Sequence, residues 1–127
     1  MTIVDRASRC FLSWRVVSTR DQWVAQDMVC EAPAQHYFSD QYHIYVELHY
    51  PQAGHEARSD KGETYSVEAG NAELRHYLAR LVRRSRCFSR CLEALRAHVK
   101  LFVHAWNKRQ LYRRQHPTYP AHLIDFV

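Results

Sequence analysis

At 127 residues and 15.1 kDa the chain is long enough for one domain with a real core and leaves little room for a second. With 46% hydrophobic residues, 13% aromatics, three Gly and four Pro, its composition excludes collagen-like, coiled-coil and wholly disordered classes. The formal charge of +5 is unevenly spread: residues 1–71 hold 6 Lys+Arg against 10 Asp+Glu, whereas residues 72–127 hold 12 against 3. The second half is therefore a polycation, which attracts polyanions, nucleic acid foremost, or else is a solvated cationic face without a specific partner. No apolar run is long enough to span a bilayer, and Met-Thr-Ile-Val-Asp lacks the basic-then-apolar pattern of a secretory signal. The expected location is cytoplasmic, with no membrane partner.

Along the chain, β-branched and aromatic residues flank the polar turn Asp5–Arg9, which predicts an antiparallel hairpin of Thr2–Val4 and Cys10–Val17. Ser18, Thr19 and Asp21 are N-cap candidates for a short helix over Asp21–Cys30, stopped by Pro33. Gln35–Ser39 reads as a strand ending at Asp40, Tyr42, Tyr45 and Leu48 as a small helix ended by Pro51, and Gly54–Ala57 as one more strand. From Tyr65 the period becomes helical, with Val67, Asn71, Leu74, Leu78 and Leu81 on one stripe and Arg75, Arg80, Arg83 and Arg84 on other faces. A last helix is predicted from Phe88 to about Arg109, burying Leu92, Leu95, Val99, Phe102, Val103 and Trp106, and His116–Pro120 cannot continue it.

This order predicts a mixed α/β domain, in which sites gather at the carboxyl ends of strands. Asp40 stands at such an end, and Glu68, early in the long helix, can reach it, so the two carboxylates would offer hard oxygens to Mg²⁺. Without such a partner, Asp40 is a turn or cap residue and Glu68 a helix-dipole partner. Cys10, Cys30, Cys87 and Cys91 are too sparse for a disulfide scaffold, and the Cys87/Cys91 spacing lacks the second close Cys/His pair that a zinc site needs.

The stretch Tyr65–Arg90 combines Glu68, Asn71 three residues on, Arg75 seven residues on, Leu-Ala-Arg-Leu at 78–81, the basic pair Arg83-Arg84, and Phe88-Ser89-Arg90. It resembles the catalytic C-terminus of transposases of the insertion-sequence-one family. Tyr37-Phe38-Ser39-Asp40 is similar to that family's second-aspartate segment, and Ile3–Arg9 to the hairpin before it. The resemblance covers most of the chain and weakens after about Gln110.

It implies a ribonuclease-H-like mixed sheet flanked by helices over residues 1–110, followed by a C-terminal tail over 111–127, and an Asp-Asp-Glu enzyme that uses Mg²⁺ or Mn²⁺ to cleave element ends and join them to target DNA. Asp40 and Glu68 would be the second and third carboxylates, catalytic and metal-binding. Asn71, Arg75, Arg80, Arg83, Arg84, Arg86 and Arg90 would contact DNA. In that register Asp5 is a turn residue, while the leading strand with the first carboxylate lies upstream of Met1. The expected molecule is thus a truncated catalytic portion, weak or inactive alone, or a non-catalytic DNA-binding regulator or remnant. Its partners would be element ends, target DNA, a second copy or full-length transposase at the nucleoid. Gly70, inside the first turns of the helix, is expected to loosen the placement of Glu68. An unrelated basic α/β domain that binds RNA or protein is the remaining alternative.

Overall fold

The computed structural model describes residues 1–51, 53–60, 62–78 and 90–127. Its elements run β1 (Thr2–Val4), β2 (Phe11–Trp14), α1 (Gln22–Glu31), β3 (His36–Ser39), α2 (His43–Val46), β4 (Gly54–Ala57), α3 (Tyr65–Tyr77), α4 (Leu92–Gln115) and a closing 3₁₀ turn at Leu123–Phe126. This is a mixed α/β architecture. In place of the one expected sheet, the described strands form two pairs, β1 antiparallel to β2 and β3 parallel to β4.

The three residues of β1 organise everything around them. Successive strand side chains point to opposite faces. Val4 enters one core with Phe11, Leu74 of α3 and Val99, Phe102, Val103 and Trp106 of α4. Ile3 and Met1 pack instead on a second core made by Ala25 and Val29 of α1 with Ile44 and Leu48. Thr2, on the Val4 side, donates its hydroxyl to Asn71 Oδ1 of α3 at 2.9 Å. Helices therefore lie on both faces of the hairpin, α3 and α4 on one and α1 and α2 on the other.

The hairpin register supports this division. Thr2 pairs with Trp14, Ile3 with Ser13 and Val4 with Phe11, so β2 spends one extra residue, Leu12, between two consecutive residues of β1. Such a bulge rephases the side chains beyond it. It brings Phe11 and Trp14 onto the Val4 core, while Ser13 faces α1 and donates to Glu31 Oε2 at 3.0 Å. Asn107 of α4 then clamps the bulged strand, accepting from Phe11 N and donating to Phe11 O, each at 2.8 Å.

The helices show their local causes. Asp21 caps α1 by accepting from Trp23 N and Val24 N. In α3 the predicted stripe packs inward through Val67, Leu74 and Leu78, and the most deeply buried line, Ser66, Gly70 and Leu74, runs along its edge. Small side chains let the helix come close: a Cβ at Gly70 would stand 3.2 Å from Phe11 Cζ and 3.5 Å from Val4 Cγ2. The missing Cβ at Gly70 is what permits this tight docking. The helix ends at Tyr77, and the Arg80–Arg86 part of the expected basic stretch, with Leu81, Cys87 and Phe88, lies outside the described residues.

Helix α4 starts at Leu92, not Phe88, leaves Leu92 itself exposed, and continues to Gln115. The boundary expected after residue 110 thus falls inside a helix. The tail folds back on it, with Arg109 Nε donating to Ala121 O at 2.7 Å and the Tyr112 ring meeting those of Tyr119 and Phe126. No described helix is long and apolar enough to cross a membrane.

Candidate functional site

A cleft of about 770 Å³ opens between the two strand pairs. Of the expected site residues, Asp40, Glu68, Asn71, Arg75 and Arg90 all line it, although they come from the end of β3, from α3 and from the segment before α4. Arg80, Arg83, Arg84 and Arg86 lie outside the described residues.

Asp40 follows the last residue of β3, where its Oδ1 accepts from Tyr42 N at 3.1 Å and shapes the turn into α2. The residue is exposed. Behind it, Ser39 Oγ donates to Asp40 O at 2.8 Å and lies 2.8 Å from His55 Nε2 of β4. Burial lowers the His55 pKa from its ordinary 6.5, which favours the neutral ring. The ring stacks on Tyr50 at 4.2 Å, and burial raises the Tyr50 phenol to about 12. The chain turn at Asp40 is thus braced through β4.

Glu68 projects from the first turn of α3, and Arg75 stands seven residues later, two turns along the same helix. Asn71, between them, has its carbonyl oxygen occupied by Thr2 Oγ1, so it ties α3 to β1.

The turn after β1 holds the start of α3 in place. Asp5 accepts from Ser8 N at 2.7 Å and from the Ser8 hydroxyl, and these bonds, the hydroxyl's first, lower its pKa below the ordinary carboxylate value. Asp5 is therefore engaged within its own turn. Arg9 has φ of 62°, a left-handed backbone uncommon outside glycine. It is held there from both ends: Trp106 Nε1 donates to Arg9 O at 3.0 Å, while the guanidinium donates to Ser66 Oγ at 2.9 Å and covers the Tyr65 ring at 4.5 Å. Arg6 reaches Phe38 of β3 at 5.1 Å and Tyr65 at 5.8 Å, and pairs with Glu63 Oε2 at 2.5 Å. That Glu63 oxygen is buried and makes no well-aligned hydrogen bond, so its charge is met by the ion pair.

Arg6 and Arg20 also line the cleft, as does Ser39, and none of them was expected as a site residue. Arg20 covers the Tyr42 ring at 4.8 Å, beside the Asp40 turn. Nothing in their local sequence marks these residues, because their role comes from segments that meet only in the fold.

For a divalent cation, Asp40 and Glu68 are the right kind of donor, hard carboxylate oxygens at one cleft. Among the described residues no three His, Cys, Asp or Glu side chains gather as a metal-holding group. Cys10, buried, and Cys30, exposed, are free thiols. Comparison of the chain with protein-family models, with curated proteins and with solved structures finds no match.

Proposed function

We propose that the chain is a DNA-binding α/β domain of the DDE-transposase type, ribonuclease-H-like in topology, with the cleft as its DNA-facing site. The observation that carries this reading is the convergence of Asp40, Glu68, Asn71, Arg75 and Arg90 on one cleft from three separate parts of the chain. Arg75 and Arg90 are exposed guanidinium groups suited to phosphate oxygens. Carboxylates lining the same cleft would repel a phosphate backbone unless a cation stood between, which is the reason to pair the arginines with Mg²⁺ or Mn²⁺ at Asp40 and Glu68. When bound, such an ion supplies Lewis-acid activation of a phosphodiester. The chain's own part is to hold the strand through Arg75 and Arg90 and to fix α3 through the Thr2–Asn71 bond.

The second reading, a DNA binder without catalysis, is favoured by Asp5, whose carboxylate is engaged by Ser8 within its own turn. The same experiment separates the two. Purified chain is titrated with duplex DNA across a salt series, with and without Mg²⁺ or Mn²⁺, while nicking and joining of end-containing DNA are followed. DNA binding whose salt slope falls by about two when Arg75 and Arg90 are both changed to Ala supports the interface. Cation-dependent thermal stabilisation lost in both Asp40→Asn and Glu68→Gln supports a shared ion. Binding without nicking leaves the non-catalytic reading, and a slope unchanged by the double substitution removes the cleft from DNA contact.

A further inference from the structure

We propose that the outer face of α4 is a docking surface for the phosphate backbone of duplex DNA, separate from the cleft and blind to base sequence. The identity of the polyanion rests on the DNA reading, whereas the surface lies outside every residue assigned to the cleft.

The distribution of charge carries it. Helix α4 holds six Lys and Arg residues against a single carboxylate, Glu93. Elsewhere arginine charge is met locally, since Arg6, Arg15 and Arg58 each pair with a glutamate. Among the described residues no Lys or Arg of α4 forms an ion pair. Arg96, Lys100, His104 and Lys108 are all exposed and recur at every fourth position. Such a row climbs about 6 Å per step, crosses the outer face obliquely and runs about 18 Å from Arg96 to Lys108. Arg96 fixes one end by donating from Nε and Nη2 to Val16 O, each at 3.4 Å, a neutral acceptor that leaves its charge unanswered. Arg96 and Lys100, like charges four residues apart, oppose the helix they belong to until an anion stands between them.

The rest of the helix narrows the occupant. Its inner side is committed to the core through Val99, Phe102, Val103 and Trp106, and Leu92, Leu95 and Val99 line the cleft from that side. The cation row and the cleft therefore lie on different sides of α4. So held, the helix cannot sink into a groove and meets DNA across its backbone, where contacts carry no base information. A duplex bears one charge per about 1.7 Å of its axis, so about ten phosphate charges lie along an 18 Å row and each cation finds one. A membrane surface fits less well, because an interfacial helix needs an apolar strip. The exposed leucines of α4, Leu101 and Leu111, stand about 15 Å apart with His104 and Lys108 between them.

The test titrates the whole chain with a fluorescein-labelled DNA duplex of arbitrary sequence over a salt series. A variant carrying Arg96→Gln, Lys100→Gln and Lys108→Gln should bind about tenfold more weakly or worse. Its slope of log K against log salt should be shallower by about 2.7, three phosphate contacts at about 0.9 each. The single variants Lys100→Gln and Lys108→Gln remove exposed side chains only, and each should take about 0.9 from the slope. Lys100→Arg with Lys108→Arg should bind as the parent does, because charge alone is read. Absence of duplex binding, or slopes unchanged in the triple and single variants, would overturn the proposal. So would equal affinity, at the same salt, for poly-glutamate or for phosphatidylserine vesicles, which would make the partner an acidic protein or a membrane. Arg75→Ala with Arg90→Ala separates the two surfaces. A slope lowered by that pair alone keeps the cleft and refutes the α4 row, and a slope lowered by the Gln variants alone keeps the row and refutes the cleft.

Discussion

Replacing Asn107 with Ala tests the central joint of the fold, the side-chain amide that bridges α4 to the bulged strand. Asn107 accepts from Phe11 N and donates to Phe11 O, both at 2.8 Å, and Phe11 is only 3% exposed. Truncation leaves one backbone donor and one acceptor without partners in a partly buried place. Each such group costs about 1–3 kcal/mol, toward the lower end where water can enter, so the loss is about 2–4 kcal/mol. Alanine recovers about 0.6 kcal/mol through its better helix propensity, leaving a net loss of about 2–3 kcal/mol. For a domain of this size that lowers the melting temperature by roughly 6–15 °C. Urea denaturation of Asn107→Ala beside Lys108→Ala, an exposed neighbour on the same helix, measures the difference directly. Lys108→Ala should stay within about 0.5 kcal/mol of the parent. A loss under 1 kcal/mol for Asn107→Ala would mean that the bulged strand does not depend on this clamp.

Gly70→Ala sets a gain of about 1 kcal/mol in helix propensity against an overpacking cost of about 1–3 kcal/mol from the contact with buried Phe11. A net destabilisation of about 1 kcal/mol by thermal melting is expected, and a stabilised variant would show that α3 can back away from the hairpin. Asp21→Ala removes the α1 cap and should cost about 1 kcal/mol in the same assay, whereas Asp21→Asn should cost little. His55 has a lowered pKa in the folded state, so the unfolded chain binds more protons as the pH falls through 6.5. Its contribution to stability is therefore complete above 6.5 and declines on acidification. His55→Gln should flatten that decline in urea midpoints taken across this range, and an unchanged pH slope would place His55 in ordinary solvent.

The secondary structure is largely legible in the sequence, because punctuation residues mark it. Asp21 and Pro33 bracket α1, and Gly54–Ala57 is a strand at the expected bounds. The packing role of Ser66 and Gly70 has no hydrophobic signature, because small side chains leave no mark on an apolar stripe although they allow the closest approach. The continuation of α4 to Gln115 was readable in principle, since nothing before Pro117 interrupts a helix. Asp40 and Glu68 could be named from their positions at a strand end and a first helical turn. Their sharing of one site is also an expectation of the sequence, whereas the further lining by Arg6 and Arg20 is not, because it depends on how the two strand pairs are spaced. The contacts of Arg6 and Arg9 with rings far along the chain are likewise tertiary, with no local signature.

Because Ile3 and Val4 are chain neighbours rooted in opposite hydrophobic layers, those layers cannot melt one at a time without tearing the short segment they share. A span of three amino acids thus makes cooperativity a property of the whole molecule. Spectroscopic probes placed on either side, Trp106 for one layer and Tyr45 for the other, should report a single coincident transition.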